Sequence, residues 1–211
     1  MNKKKENTEN STKAKKAAKK VFQKFIIETF RVRKYGIRSR LKKYVCRIIH
    51  IMQHICHLLL GSNLGDRLKN LQKAIDYITI DAGTISTKSS IYKTSAWGKQ
   101  DQPDFYNQVL IMESLLEPFS LLEKLLAIEQ KMGRSRKEKW GERVIDIDIL
   151  YVDDQILDTP TLQLPHPRIQ ERKFTLIPLA EIAPDKIHPI LLKNSVELLA
   201  DCSDDLSVER L

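Results

Sequence analysis

Residues 144–152 read VIDIDILYV. Isoleucine and valine suit a pleated, half-buried surface, and successive side chains of a strand point to opposite faces. This spacing predicts a strand that sends Ile145, Ile147 and Ile149 into the core and holds Asp146 and Asp148 together on its other face. Two strand rises put the two Asp Cα atoms about 6.6 Å apart. At an effective dielectric of about 20, bare charges at that spacing repel by roughly 2.5 kcal/mol. A cation would offset that cost, and hard oxygen ligands on one face suit Mg²⁺ holding a nucleotide. Taken alone, the pair is equally compatible with a solvent-facing strand edge carrying two harmless carboxylates.

Immediately upstream, residues 133–143 read GRSRKEKWGER. Arg134, Arg136 and Arg143 could clamp phosphate oxygens in bidentate fashion, and Trp140 could stack on a ring. Next to a metal-binding pair, such a loop suits phosphoryl transfer, where positioning and charge neutralisation supply most of the rate. The plainer alternative is a solvated charge run with a core Trp.

The elements further out follow from periodicity. Residues 56–60 are a short apolar run ended by Gly61, and Leu64, Leu68, Leu71, Ile75 and Ile78 then recur at helical spacing. Residues 84–94 (TISTKSSIYKT) alternate loosely and predict one half-exposed strand, and 106–113 predict a strand antiparallel to the first. Pro118, Phe119 and Ser120 lead into Leu121, Leu122, Leu125, Ile128 and Met132, with Ser120 and Glu123 at capping-box spacing and Gly133 as C-terminal cap. The order β-α-β-β-α-β predicts an α+β, ferredoxin-like sandwich, an antiparallel sheet with both helices packed on one face. A Pro-rich stretch over 164–189 and a short helix near 195–201 are C-terminal additions to it.

Two more clusters could belong to a site. Thr94, Trp97, Gln100, Asp101, Gln102, Phe105, Tyr106 and Asn107 bring together aromatic and amide groups suited to sandwiching a flat heterocycle, although such groups are equally often structural. His166, Arg168, Arg172 and Phe174 offer a second aromatic and more cations, or a rigid surface turn. Gly61 to Gly65 is no Walker loop, because Gly65 arrives one residue early and is followed by Asp66 and Arg67.

The chain of 211 residues carries 36 Lys+Arg against 27 Asp+Glu, a formal +9. Residues 1–51 hold 17 of the cations and 3 of the acids, a surplus of 14, which leaves 19 against 24 and a net −5 for residues 52–211. The basic total is therefore no argument for nucleic-acid binding by the bulk of the chain. An RNA-binding module of the same architecture is weakened further by the absence of its aromatic sheet motif. Residues 3–20 are too polar to form a core and are expected to be disordered, and 21–51 allow basic amphipathic helices broken near Gly36. This arm reads first as an optional extension or a misassigned start ahead of Met52, then as an organellar presequence, or as a membrane-surface or nucleic-acid arm. Residues 52–211 are expected to form the single functional domain. Cys46, Cys56 and Cys202 support neither a disulfide framework nor a zinc site, and no apolar run is long enough to span a membrane, so a soluble, cytoplasmic protein is expected.

Four blocks, LLLGSNLGDR (58–67), QDQPDFYNQV (100–109), KWGERVIDIDIL (139–150) and LPHPRIQERKF (164–174), together resemble the 6-hydroxymethyl-7,8-dihydropterin pyrophosphokinase family of folate biosynthesis. The resemblance implies transfer of the pyrophosphoryl group of ATP to the hydroxymethyl group of a reduced pterin, releasing AMP, with two Mg²⁺ ions and with ATP as co-substrate. It implies that Asp146 and Asp148 bind metal and act in catalysis with Arg134 and Arg143. It implies pterin contacts from Thr94, Ser95, Trp97, Phe105, Asn107, Trp140 and Phe174, and ATP contacts from Glu129, Arg134, Arg136, Arg143, Ile149, His166 and Arg172. Small molecules are the expected partners, acting on a monomer without nucleic acid or stable membrane insertion. A catalytically dead pterin or nucleotide binder is the remaining alternative, and the competent type of every site residue argues against it.

Overall fold

The computed structural model describes residues 53–95, 102–133 and 141–211. In chain order these form β1 (His54–Ser62), α1 (Arg67–Asp81), β2 (Thr84–Lys88), β3 (Tyr92–Thr94), β4 (Phe105–Ser114), α2 (Pro118–Lys131), β5 (Asp146–Val152), β6 (Leu157–Asp158), β7 (Gln163–Leu164), α3 (Lys173–Ile182), α4 (Ser195–Asp201) and β8 (Val208–Arg210). The main sheet runs β5-β1-β4-β3-β8, with β2 also paired to β4. Its pairings are all antiparallel. This is the expected ferredoxin-like order.

Two sequence expectations need correction. Residues 84–94 are two strands, because Lys88 pairs with Leu110 and Tyr92 with Asn107, which leaves three residues opposite two. Ser89 makes that bulge tolerable: its hydroxyl accepts the Val109 N–H at 2.9 Å, and its own N–H donates to the Val109 carbonyl at 2.9 Å. Helix α2 begins at Pro118 behind an N-cap Glu117 that makes no side-chain cap bond, so Ser120 lies inside the first turn. A proline at the first position already has helical φ and lacks an N–H that would need a partner. Gly133 does end the helix as expected, at φ +90°.

Leu71, Ala74, Ile75 and Ile78 of α1 and Leu121, Leu125 and Ile128 of α2 bury one face of the sheet, over Leu58, Leu60, Leu110, Ile147 and Ile149. The other face carries a second core, in which Leu59, Val109, Leu150 and Tyr151 meet Ile169, Leu176 and Leu179 and, from α4, Leu198. Helix α3 lies in the stretch that reads as Pro-rich, and Pro178 sits inside it. Burial of Leu176 and Leu179 offsets the backbone donor that proline removes. The C-terminal additions therefore cover the far face, and the domain has helices on both sides.

His57 packs edge-on against Tyr151 in this second layer, with ring centroids 5.6 Å apart. Burial, then the nearby Lys186 ammonium, pushes its pKa down from 6.5 to about 4. Above pH 6.5 the folded and unfolded chains both hold this ring neutral. As the pH falls from 6.5 toward 4 the unfolded chain takes up a proton that the folded one refuses, so stability declines, by about 3 kcal/mol in all, and then levels off. Urea unfolding at pH 7 and pH 4.5 checks this. His57→Phe is expected to flatten the decline, and an unchanged slope in that variant contradicts the assignment.

Candidate active site

Among the described residues strand β5 is an edge of the sheet, paired with β1 alone, and its outer side is satisfied by other means. Glu129, 2% exposed on α2, accepts the Ile147 N–H at 2.7 Å, and the His166 N–H donates to the Leu150 carbonyl at 2.9 Å. Asp146 and Asp148, on either side of Ile147, are thereby held on a strand anchored along both edges. Their face is the one covered by the C-terminal layer, which stops short of them.

A cleft of about 250 Å³ opens there, and its lining includes Thr94, Ser95, Phe105, Asn107, Arg143, Asp146, Asp148, His166, Arg172 and Phe174. Ten of the residues expected from sequence thus meet in one space. The Asn107 amide donates to the Thr94 hydroxyl at 2.7 Å, which fixes its orientation between β3 and β4. Phe105 and Phe174 bring aromatic surface from β4 and α3. Arg143 forms an ion pair and hydrogen bond with Asp146 and also donates to the Gly141 carbonyl. Arg172 stands 3.9 Å from Asp148, and its guanidinium lies 5.6 Å from the Phe174 ring centre.

A second cleft, of about 300 Å³, shares Asp146, Asp148 and His166 with the first. Its other walls are Leu122, Leu126, Glu129, Ile147, Ile149 and residues 159–163, from the β6–β7 turn into the start of β7, with Pro167. Glu129 and Ile149, expected at a nucleotide, line this space and not the first. Glu129 has in addition the structural bond to β5 described above. His166 accepts the Arg168 N–H on Nδ1 at 3.2 Å. Burial, reinforced by Arg172 and Arg168, pushes its pKa down to about 4, so the ring is neutral at pH 7 and its proton resides on Nε2. Trp97, Gln100, Asp101, Arg134, Arg136 and Trp140 lie outside the described residues.

Gln102, named with the aromatic and amide cluster in the sequence, also lines the first cleft. Sequence reasoning left two contributors out of the site. The β6–β7 segment gives no periodic signal, and its place beside β5 comes from long-range packing. Asn63 reads as a turn residue, yet it is 1% exposed and bonded to the segments before both β4 and β5.

A ferredoxin-like sheet with one carboxylate pair shared by two clefts, the first partly aromatic and lined by Arg143 and Arg172, suits the class of nucleotide-using transferases. Comparisons agree. The profile of the 7,8-dihydro-6-hydroxymethylpterin-pyrophosphokinase (HPPK) family matches residues 57–184. A 2-amino-4-hydroxy-6-hydroxymethyldihydropteridine pyrophosphokinase of Synechocystis is 44% identical over 68% of this chain and 75% of its own length. The protein of the same name from Aquifex aeolicus is 42% identical over 65% of this chain and 85% of its own length. A crystal structure of the wild-type Plasmodium falciparum HPPK-DHPS with pterin and p-hydroxybenzoate shares the fold, with a TM-score of 0.58 at 17% identity, over 70% of this chain and 41% of that one. The present chain thus spans under half the length of that protein. The chain belongs to the 7,8-dihydro-6-hydroxymethylpterin-pyrophosphokinase family, and it is an enzyme of the diphosphokinase type.

Proposed function

We propose that this enzyme transfers the pyrophosphoryl group of ATP to the hydroxymethyl oxygen of 6-hydroxymethyl-7,8-dihydropterin, giving the pterin diphosphate and AMP. The observation that carries this reading is the meeting of two clefts at Asp146 and Asp148. The first, with Phe105, Phe174, Asn107 and Thr94, suits a flat heterocycle with polar edges. The second, with apolar walls from α2 and β5, suits the nucleotide, and its polyphosphate would cross the shared wall toward Arg143 and Arg172.

The donor set fits Mg²⁺. Among the described residues no three His, Cys, Asp or Glu side chains converge as an all-protein cage, and Mg²⁺ typically takes one or two carboxylates together with substrate phosphates and water. Asp146 and Asp148 would hold it, in the two-ion arrangement that the family resemblance implies. When bound, the metal neutralises and orients the triphosphate. The protein's own groups do the rest. The aromatic cleft holds the pterin hydroxyl in line with the β-phosphorus, so that a new O–P bond forms there as the bond to the bridging oxygen breaks and AMP leaves with that oxygen. Neutral His166 offers an N–H donor to a phosphate oxygen, while Arg143 and Arg172 offset charge that develops on the transferred group. The hydroxyl proton goes to one of the two Asp carboxylates or directly to water.

Incubation with ATP, Mg²⁺ and 6-hydroxymethyl-7,8-dihydropterin tests the proposal. AMP released only when the pterin is present supports it, and pterin-independent AMP or none overturns it. The enzyme is further proposed to act as a monomer in the cytoplasm on small molecules alone. Among the described residues no helix is long and apolar enough to cross a membrane. Residues 52–211 are proposed to be the functional domain, since β1 begins at His54. A chain starting at Met52 is expected to fold and to retain full activity, and loss of soluble, active protein on that truncation contradicts this boundary.

A further inference from the structure

Strand β1 lies between β4 and β5 in the sheet, so the residue that follows it stands between the segments leading into both. That residue is Asn63, and its buried amide is bonded on each side. Nδ2 donates to the Gln102 side-chain oxygen at 3.1 Å and to the Pro103 carbonyl at 3.3 Å. Oδ1 accepts the Arg143 N–H at 2.8 Å, and the Asn63 backbone N–H donates to the Arg143 carbonyl at 3.2 Å. The same turn grips the β4 side once more. Arg67 donates to the Asp104 carbonyl at 2.8 Å, and its guanidinium lies 3.9 Å from the centre of the Tyr106 ring, so both neighbours of Phe105 are held.

We propose that Asn63 is a positioning residue that links the two walls of the first cleft, setting Arg143 and the carboxylate strand in register with the aromatic wall at Phe105 and Asn107. An amide suits this task because it presents donors to one side and an acceptor to the other. A carboxylate has no donor for the Pro103 carbonyl, and an apolar side chain serves neither side. The inference rests on the assignment of the two clefts made above, and it separates the two walls experimentally. Asn63→Asp keeps an acceptor for the Arg143 N–H but turns an oxygen toward the Pro103 carbonyl, which has no donor to offer. It is expected to weaken pterin binding about tenfold while leaving the affinity for a non-hydrolysable ATP analogue and kcat at saturating pterin near wild type. Asn63→Leu cuts both side-chain links, keeps only the backbone bond to the Arg143 carbonyl, and is expected to lower kcat about a hundredfold as well, because the Arg143 amide loses its acceptor.

Backbone hydrogen exchange of the ligand-free protein provides a readout independent of turnover. The Arg143 amide should stay protected in wild type and in Asn63→Asp and become fast-exchanging in Asn63→Leu. Parallel loss of pterin affinity, nucleotide affinity and kcat in Asn63→Asp, in proportion to lost folded protein, overturns the proposal, as does an Arg143 amide that remains protected in Asn63→Leu. Should the wild-type chain release no pterin-dependent AMP, the cleft assignment fails, and the exchange measurement still decides whether Asn63 holds Arg143.

Discussion

Asp148→Ala is expected to lower pterin-dependent AMP release by at least about a thousandfold while leaving pterin affinity within roughly threefold of wild type. The asymmetry follows from where the groups come from. The aromatic and amide groups proposed to contact the pterin lie on β3, β4 and α3, away from strand β5 that carries Asp148. The carboxylate itself faces both clefts and stands 3.9 Å from the Arg172 guanidinium. Its removal leaves Asp146, already paired with Arg143, as the only carboxylate of the pair, and leaves the Arg172 charge without that partner. Nucleotide would then bind with its phosphates poorly anchored. The Asp148 side chain is about one-third exposed, so the substitution should change thermal stability little and the lost turnover can be read as chemistry. AMP quantified by chromatography, together with a fluorescence titration of the pterin, checks both halves. Near-normal turnover would sink the metal-binding assignment.

For Arg143→Ala the prediction concerns which kinetic constant moves. A fall in kcat of about a hundredfold or more is expected, with the KM values for ATP and pterin changed only a few-fold. The guanidinium is engaged with Asp146 and with the Gly141 carbonyl, so substrate binding is expected to gain little from it. Under the proposed mechanism its value arises when charge builds on the transferred phosphoryl oxygens and the arginine exchanges one anionic partner for another. Steady-state kinetics with each substrate varied in turn tests this. An effect confined to KM would mean that Arg143 binds the ground state, and the role given to it here would be wrong.

Much of this enzyme could be read in one dimension. The alternation in 144–152 placed Asp146 and Asp148 on one face with Ile145, Ile147 and Ile149 beneath them, and the packing agrees. Helical spacing found α1 and α4, and the order of elements found the sheet. Where local reading failed, a distant contact had changed the local optimum. Ser89 splits a strand because its hydroxyl can stand in for the ladder at Val109, and Pro178 sits within a helix because its neighbours are buried against β1, β4 and β5.

Side-chain periodicity and residue chemistry are local properties, so spacing was enough to propose the β-α-β-β-α-β core order and the paired carboxylates, while the assignment of groups to the site came from the family resemblance. Which of those groups share a space is a property of pairings between residues many tens of positions apart. Only the folded chain brings the α3 layer over the far face of the sheet, divides the surroundings of Asp146 and Asp148 into two clefts, assigns Glu129 a backbone partner on β5 and turns Asn63 from a loop residue into the link between two walls. Hydrophobic burial is non-directional. The final geometry is set by the directional demands of buried polar groups, which must find partners wherever the fold has placed them.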